Sequence, residues 1–347
     1  MSVPRCSDAT YDGAVQRSNI MTADGESWQA LVLDVGRPRR ASLQVQIAGR
    51  RQLLLRQDAE AVLLARTRPC RRDVVDYLRT DRYRSPVPPI RAAHARMVAT
   101  GDTGSTLSRW AHHFASELAG TDLGPLQSGR WIISGDSDPQ WGLHKTYYTA
   151  QRWELLSGDP EGFICWWPTY GGGQVLPLRQ LSDAGDSRVK AYRKQARDGS
   201  LPPILVWWIS GLDSFVLLDG HDRFRAAILE GRQPPILALS SLSPEQNQWY
   251  VEAYIARYAQ AMPHIRRQAE ARVAGAEAAL ANAHRKLGED VHACGIHCAP
   301  TPAWPLRGGL AAWRDAVRLH TSSPPAWTEA AEAPSTNGKH PAVIAAS

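Results

Sequence analysis

One short passage limits what this chain can fold into more than any other. Phe215, Val216, Leu217 and Leu218 form an apolar run, and Asp219, Gly220, His221, Asp222 and Arg223 follow at once. Phe224, Arg225, Ala226 and Ala227 come next, and Gly231 lies beyond them. The pattern predicts a buried strand, a tight turn and a helix that Gly231 stops. A helix N-terminus leaves backbone N–H groups unpaired and carries partial positive charge, so it favours anions. Gly220 allows close backbone approach to a ligand, and Arg223 presents a planar fork of donors suited to phosphate. A plain turn with a dipole-matching acid and a solvated arginine would explain Asp219, Gly220 and Asp222. It would not explain why His221 and Arg223 cluster with them.

The surroundings of this passage predict a small α/β unit over residues 174–240. Residues 202–209 form an apolar, β-branched and aromatic run suited to a strand buried on both faces. Gly211, Leu212 and Asp213 predict a hairpin turn into a strand over 214–218. Residues 234–239 read as a further strand. Upstream, Asp186 or Ser187 caps a helix that ends near Asp198, with Gly199 as its stop. That helix buries Val189, Tyr192 and Ala196 and turns Arg188, Lys190, Arg193, Lys194 and Arg197 to solvent.

In this order of elements and in the Asp-Gly-His-Asp-Arg box, the unit resembles the ParB/sulfiredoxin superfamily, which includes ParB-like domains and free-serine kinases. The likeness is confined to residues 174–240 of the 347. It implies that Gly220, His221 and Arg223 hold the phosphates of a nucleotide such as ATP, ADP or CTP. Sulfiredoxins place a catalytic cysteine directly after the box glycine. His221 stands there in this chain, so reduction of a sulfinic acid through a thiolate is not expected. ParB partition proteins carry Glu-Arg-Arg after the glycine and a later Glu-Asn-x-Gln-Arg motif, and neither is present. The Asp-Gly-His-x-Arg form is closer to members that move phosphate to small molecules. In those kinases an acidic residue in an earlier box helps catalysis, and Asp183 or Asp186 stands at about that place.

The expected function is therefore a nucleotide-dependent phosphotransferase or nucleotide hydrolase acting on a small-molecule hydroxyl. Asp219 or Asp222 would coordinate Mg2+, His221 would bond a phosphate or shuttle a proton, and Asp183 or Asp186 would accept the hydroxyl proton. Two other classes stay open. One is a ParB-like DNA-associated protein, nucleotide-gated or nucleolytic. The other is a non-catalytic sensor of a nucleotide. A net charge of +6 permits nucleic-acid contact without requiring it. No apolar run is long enough to span a bilayer, residues 1–24 lack a signal-peptide core, and five cysteines make no disulfide framework. A cytoplasmic protein without membrane contact is expected.

The fold class expected is α/β or, more broadly, α+β. Residues 1–24 read as a flexible N-terminus, 25–170 as an α+β region, and 171–242 as the ParB/sulfiredoxin-like unit. Residues 243–320 read as a helical region and 321–347 as a disordered tail. Within the first region, 43–47 and 53–55 predict a hairpin. Asp58 predicts a cap for a short helix through 62–65, and 73–78 and 107–118 read as helices. The last of these carries Leu107, Trp110, Ala111, Phe114 and Leu118 on one face and Gly120 at its end. These helices are read as a packed subdomain rather than a DNA-reading helix-turn-helix. Residues 131–133 and 163–167 read as strands, Asp136 and Asp138 as turn acids, and 170–173 as a flexible junction.

In the C-terminal region, Ser243 and Pro244 predict a helix start, and Tyr250, Tyr254 and Tyr258 share a face. Pro263 is expected to break or kink this helix. Ala269, Val273, Ala276, Leu280, Ala283 and Leu287 predict a helical hairpin that packs on the body of the chain, with homodimerisation an open alternative. His292, Cys294, His297 and Cys298 are residue types that suit zinc, but their spacing departs from paired-ligand patterns, so no metal is expected.

Overall fold

Strict alternation along the central strands decides the layering. Leu31, Leu33, Trp131, Ile133, Leu237 and Leu239 share one buried cluster, while Ala30, Val32 and Ile132 belong to a separate cluster on the opposite face. A computed structural model describes residues 7–12, 15–21, 27–36, 41–68, 74–98, 103–135, 160–165, 175–212, 214–242, 244–271, 275–294, 300–321 and 327. The fold is α+β, with mixed parallel and antiparallel sheets.

The larger sheet has eight strands in the order β1-β2-β3-β8-β13-β11-β12-β10. These are β1 (Ser7–Asp12), β2 (Val15–Met21), β3 (Trp28–Val35), β8 (Gly129–Gly135), β10 (Val175–Pro177), β11 (Ile204–Ile209), β12 (Ser214–Asp219) and β13 (Ile236–Leu242). The second sheet has six strands in the order β14-β4-β5-β6-β7-β9. Its members are β4 (Leu43–Ile47), β5 (Gln52–Gln57), β6 (Glu60–Thr67), β7 (Val74–Arg79), β9 (Glu161–Cys165) and β14 (Ala303–Pro305).

The inner faces of the two sheets meet in one core that also takes the apolar stripe of helix α2 (Thr103–Gly120). Trp110, Phe114 and Leu118 enter it from α2, and Ala95 and Val98 from the shorter α1 (Ala92–Val98). On the other face of the larger sheet, Phe224 and Ile228 of α4 (His221–Leu229) pack on Ile204, Val206, Phe215 and Leu217. Helix α3 (Ser187–Asp198) lies beside α4, with Ala196 against Ala227. Asp186 caps α3 through bonds from the Arg188 and Val189 amides, and Gly199 at φ 71 ends it.

Several expectations from sequence change here. Residues 62–65 and 73–78 lie in strands β6 and β7 rather than helices. All six residues of β7 are buried, Asp76 and Arg79 among them, and so short a stretch buried on both faces carries no periodicity that separates strand from helix. Asp58, at φ 53, turns the β5–β6 hairpin instead of capping a helix. The first 24 residues hold two paired strands, β1 and β2. The unit at 174–240 is not closed at its edge, because β13 pairs antiparallel with β8 from the preceding region.

The C-terminal helices are α5 (Pro244–Glu270), α6 (Ala276–Cys294) and α7 (Gly309–His320). Helices α5 and α6 pack on each other as a hairpin, and most of their described side chains are exposed. Pro263 sits inside α5 without ending it. Helix α7 closes the outer face of the second sheet, where Trp313 and Val317 pack with Leu54, Leu64 and Leu78. Trp327, in the stretch expected to be a disordered tail, is buried here against Trp313 and under the Arg66 guanidinium.

Trp313 is wholly buried, and its indole N–H donates to the Leu53 carbonyl at 3.1 Å. Truncating a buried Trp of this kind costs about 3–5 kcal/mol. Trp313→Ala should therefore lower the urea midpoint strongly. A midpoint unchanged from wild type would show that α7 is not docked on this sheet.

Candidate functional site

The strand-to-helix corner between β12 and α4 is built as the sequence predicts, but its interior is closed. Strand β12 is buried along its whole length and delivers Asp219 to the corner. Gly220, at φ 94, is the N-cap of α4, and its carbonyl accepts the first helical bond from the Phe224 amide at 2.8 Å. A Cβ added at Gly220 would lie 2.8 Å from Arg223 Nη2 and 2.9 Å from Ile204 Cγ2. The glycine is thus required by its left-handed backbone and by the side chains folded over it, not by the approach of a ligand to its backbone.

Four charged or ionisable box residues are almost fully enclosed: Asp219 is 8% exposed, His221 2%, Asp222 9% and Arg223 3%. Arg223 Nη2 donates to Asp219 Oδ2 at 2.6 Å, and the Ser85 hydroxyl donates to the other oxygen of that carboxylate at 3.0 Å. Asp222 accepts from the Ser182 hydroxyl at 2.7 Å and lies 3.6 Å from Arg179 Nη2. Arg79, from the end of β7, pairs with Asp81 at 2.9 Å. Asp81 holds a left-handed backbone, at φ 58, and also accepts from the Gln180 amide at 2.7 Å. The phenol of Tyr83 donates to the Leu218 carbonyl at 2.7 Å, and its ring lies 5.9 Å from the His221 ring.

Three arginines and three aspartates thus surround one imidazole, each arginine with its own carboxylate. The charges balance, yet the hydrogen bonds do not. Arg79 Nε and Nη1, His221 Nε2 and Arg223 Nε are all buried without a bonding partner. The Arg79–Asp81 contact is short enough for an ion pair, but direction decides an N–H bond, and neither Arg79 atom has an aligned acceptor. A buried donor left unsatisfied costs about 1–3 kcal/mol, so the three guanidinium N–H groups together call for an acceptor. The rim is open at Arg179, whose side chain is 36% exposed, and at Asp81, 40% exposed.

Burial, and then Arg179, Arg79 and Arg223, push the His221 pKa well below its ordinary 6.5. The imidazole is neutral at pH 7. Burial foremost, with the Asp219 charge adding to it, raises the Tyr83 phenol well above its usual 10. His113 of α2 is lowered to about 4 by burial and then by His94; Asp219 acts upward against them and Arg223 adds a smaller downward effect.

Of the acids expected to serve catalysis, Asp219 and Asp222 are in the corner and engaged by arginines. Asp186 is committed to capping α3, which argues against its use as a base, and Asp183 is exposed next to Ser182. Asp136, Asp138, residues 170–173, His297 and Cys298 lie outside the described residues, as do the side chains of His292 and Cys294. Among the described residues, no group of His, Cys, Asp and Glu is arranged to hold a metal ion. Arg79, Asp81, Tyr83, Ser85, Arg179 and Ser182 were not singled out from sequence. Arg79 closes a strand that had been read as a helix, and the others sit in loops whose approach to the corner is set by the sheets. No protein-family model, curated protein or solved structure matches the chain.

Two outcomes follow from this geometry. Gly220→Ala should destabilise by about 1–3 kcal/mol through its backbone conformation, with more from displacement of Arg223. Thermal unfolding measures it, and an unchanged midpoint would contradict the left-handed corner. Because His221 resists protonation only when folded, its contribution to stability is complete above pH 6.5 and is lost as pH falls below that value. Urea unfolding between pH 7.5 and 5 should show a shallower decline for His221→Gln than for wild type. Equal slopes would mean that His221 titrates normally.

Proposed function

We propose that this chain binds the phosphates of a nucleotide, ATP, ADP or CTP, at the β12–α4 corner. The observation that carries the reading is the set of unpartnered guanidinium N–H donors on Arg79 and Arg223, buried with the unpartnered His221 Nε2 around the N-terminus of α4. Phosphate oxygens would supply the missing acceptors, and guanidinium groups suit them in charge and shape. Entry is along the Arg179 edge, where the cluster meets solvent. The resemblance to the ParB/sulfiredoxin superfamily supports the same ligand class at the same box.

Phosphoryl transfer to a small-molecule hydroxyl is the reaction that goes with this reading. Phosphate taking Arg223 would release the Asp219 carboxylate from its ion pair. That carboxylate then accepts the hydroxyl proton while the hydroxyl oxygen bonds to the terminal phosphorus and the bond to the bridging oxygen breaks. Asp219 and Asp222 are oxygen donors of the type Mg2+ takes, and the ion would neutralise charge on the phosphate oxygens. The pairing of both carboxylates with arginines favours a second reading, in which the nucleotide is sensed and not turned over.

Isothermal titration with ATP, ADP and CTP should give heat with at least one of them, and Arg223→Ala should abolish it. Heat from none would remove the proposal. Arg223→Ala also leaves Asp219 buried and uncompensated, at a cost of about 3–5 kcal/mol, so its folding is checked by circular dichroism. Arg79→Gln, which removes the charge and keeps a shorter polar side chain, should weaken binding in the same direction. Transfer of label from γ-labelled ATP to small hydroxyl compounds separates the kinase from the sensor.

A further inference from the structure

A cavity of about 710 Å3 lies beside the corner, between α1, α2 and α3. That size is within the range of small-molecule sites. One wall is the rigid turn Pro88-Pro89-Ile90, and aromatic rings form others. His94 and His113 meet edge to face at 4.5 Å, and both rest against the buried Trp110, at 5.6 and 5.4 Å. Tyr192 of α3 also lines the space, tied to the Ile90 carbonyl at 3.5 Å. The rings are therefore held in place and offer faces and edges to a flat guest.

Two acceptors point to the guest's chemistry. Gln195 Oε1 is buried and has no hydrogen-bond partner, although its residue lines the cavity. Glu117, also in the lining, lies with its carboxylate 3.8 Å from His113 Nδ1. An exocyclic amine carries N–H donors of the kind these acceptors take, whereas a keto oxygen in its place can serve neither. Arg91 and Arg188 are exposed lining residues that leave the cavity open to anionic groups.

The cavity and the corner share a wall. The Ser85 hydroxyl donates to Asp219, and three residues further along the chain Pro88 enters the cavity lining. Three extended residues span at most about 11 Å. On the other side Ser182 bonds Asp222, and the chain then runs into α3, which contributes Arg188, Ala191, Tyr192 and Gln195.

We infer that this cavity seats the base of the nucleotide whose phosphates enter the corner, and that Gln195 with Glu117 selects bases bearing an exocyclic amine. The inference rests on the phosphate reading of the corner, and it gives the N-terminal half of the chain a direct part in ligand binding. His113 and Glu117 of α2 would touch the base, and Arg223 the phosphates.

The test compares ATP, CTP, UTP and inorganic tripolyphosphate by isothermal titration on wild type, Gln195→Leu, Ala191→Trp and Arg223→Ala, each checked for folding by circular dichroism. Wild type should bind ATP or CTP at least about tenfold more tightly than UTP, because a buried acceptor penalises a base that sets a keto oxygen where the amine would donate. Gln195→Leu should erase that preference and leave tripolyphosphate affinity unchanged. Ala191→Trp should fill the cavity and bring ATP down to the affinity of tripolyphosphate. Equal affinities for ATP, CTP and UTP in wild type would overturn the inference, as would a Gln195→Leu variant that keeps the preference. Tripolyphosphate binding without any base preference would leave the phosphate reading standing alone. ATP binding lost in Ala191→Trp but kept in Arg223→Ala would remove the phosphate reading and keep the cavity.

Discussion

The ion pair between Arg223 and Asp219, folded over the bare Cα of Gly220, is the interaction on which the rest of this corner depends. It joins the last residue of β12 to the first turn of α4 and fixes the angle at which the helix leaves the sheet. Breaking a buried pair of this kind by removing one partner costs about 3–5 kcal/mol, more than the pair contributes relative to a packed apolar substitute. An isolated pair in such a place would be a poor structural choice. Here it sits among two further arginine–aspartate pairs and a neutral imidazole, and the cluster keeps donors that nothing in the chain satisfies. Unspent hydrogen-bonding capacity in a dry, charge-balanced cluster is the feature on which the proposed phosphate site rests.

The two-sheet architecture is what brings this cluster together. Arg79 comes from the end of a strand in the second sheet, Asp219 from the end of one in the first, and Tyr83 and Ser85 from the connection that crosses between them. The Leu-rich faces of both sheets and the Trp110–Phe114 stripe of α2 hold those elements in contact. The corner therefore depends on long-range packing outside the segment that carries the box. That dependence also explains why β13 needs its antiparallel partner β8, without which the unit would end in an open edge.

Much of the local structure was legible in the sequence. Punctuation by Gly199, Gly220 and Gly231, the Asp186 cap and the continuous apolar strands gave α3, β11, β12, α4 and β13 close to their observed bounds. The helix at 107–118 was legible from its 3.6-residue stripe. Strands β6 and β7 were not, because Val62 to Ala65 and Val74 to Leu78 are buried on both faces and have no clear period to read, with Asp76 buried through its pairs with Arg66 and Arg68. Burial of Trp327 was hidden for a different reason: a single anchor in a polar, proline-rich segment has no sequence pattern, and only the Arg66–Trp313 surface gives it a place. At the site, the box residues were visible, but their partners Arg79, Arg179 and Ser182 come from other elements, and no local rule ties them to Arg223. The role of Gly220 also differed, since the space above it is filled by the protein's own guanidinium.

The most direct measurement is proton–nitrogen NMR of arginine side chains in the full chain, with and without ATP. The Nε–H groups of Arg223 and Arg79, neither with an aligned acceptor in the chain, should shift downfield and become protected from exchange when phosphate oxygens reach them. If both signals stay where they are while ATP is demonstrably bound, the phosphates lie elsewhere and the account of this corner is wrong.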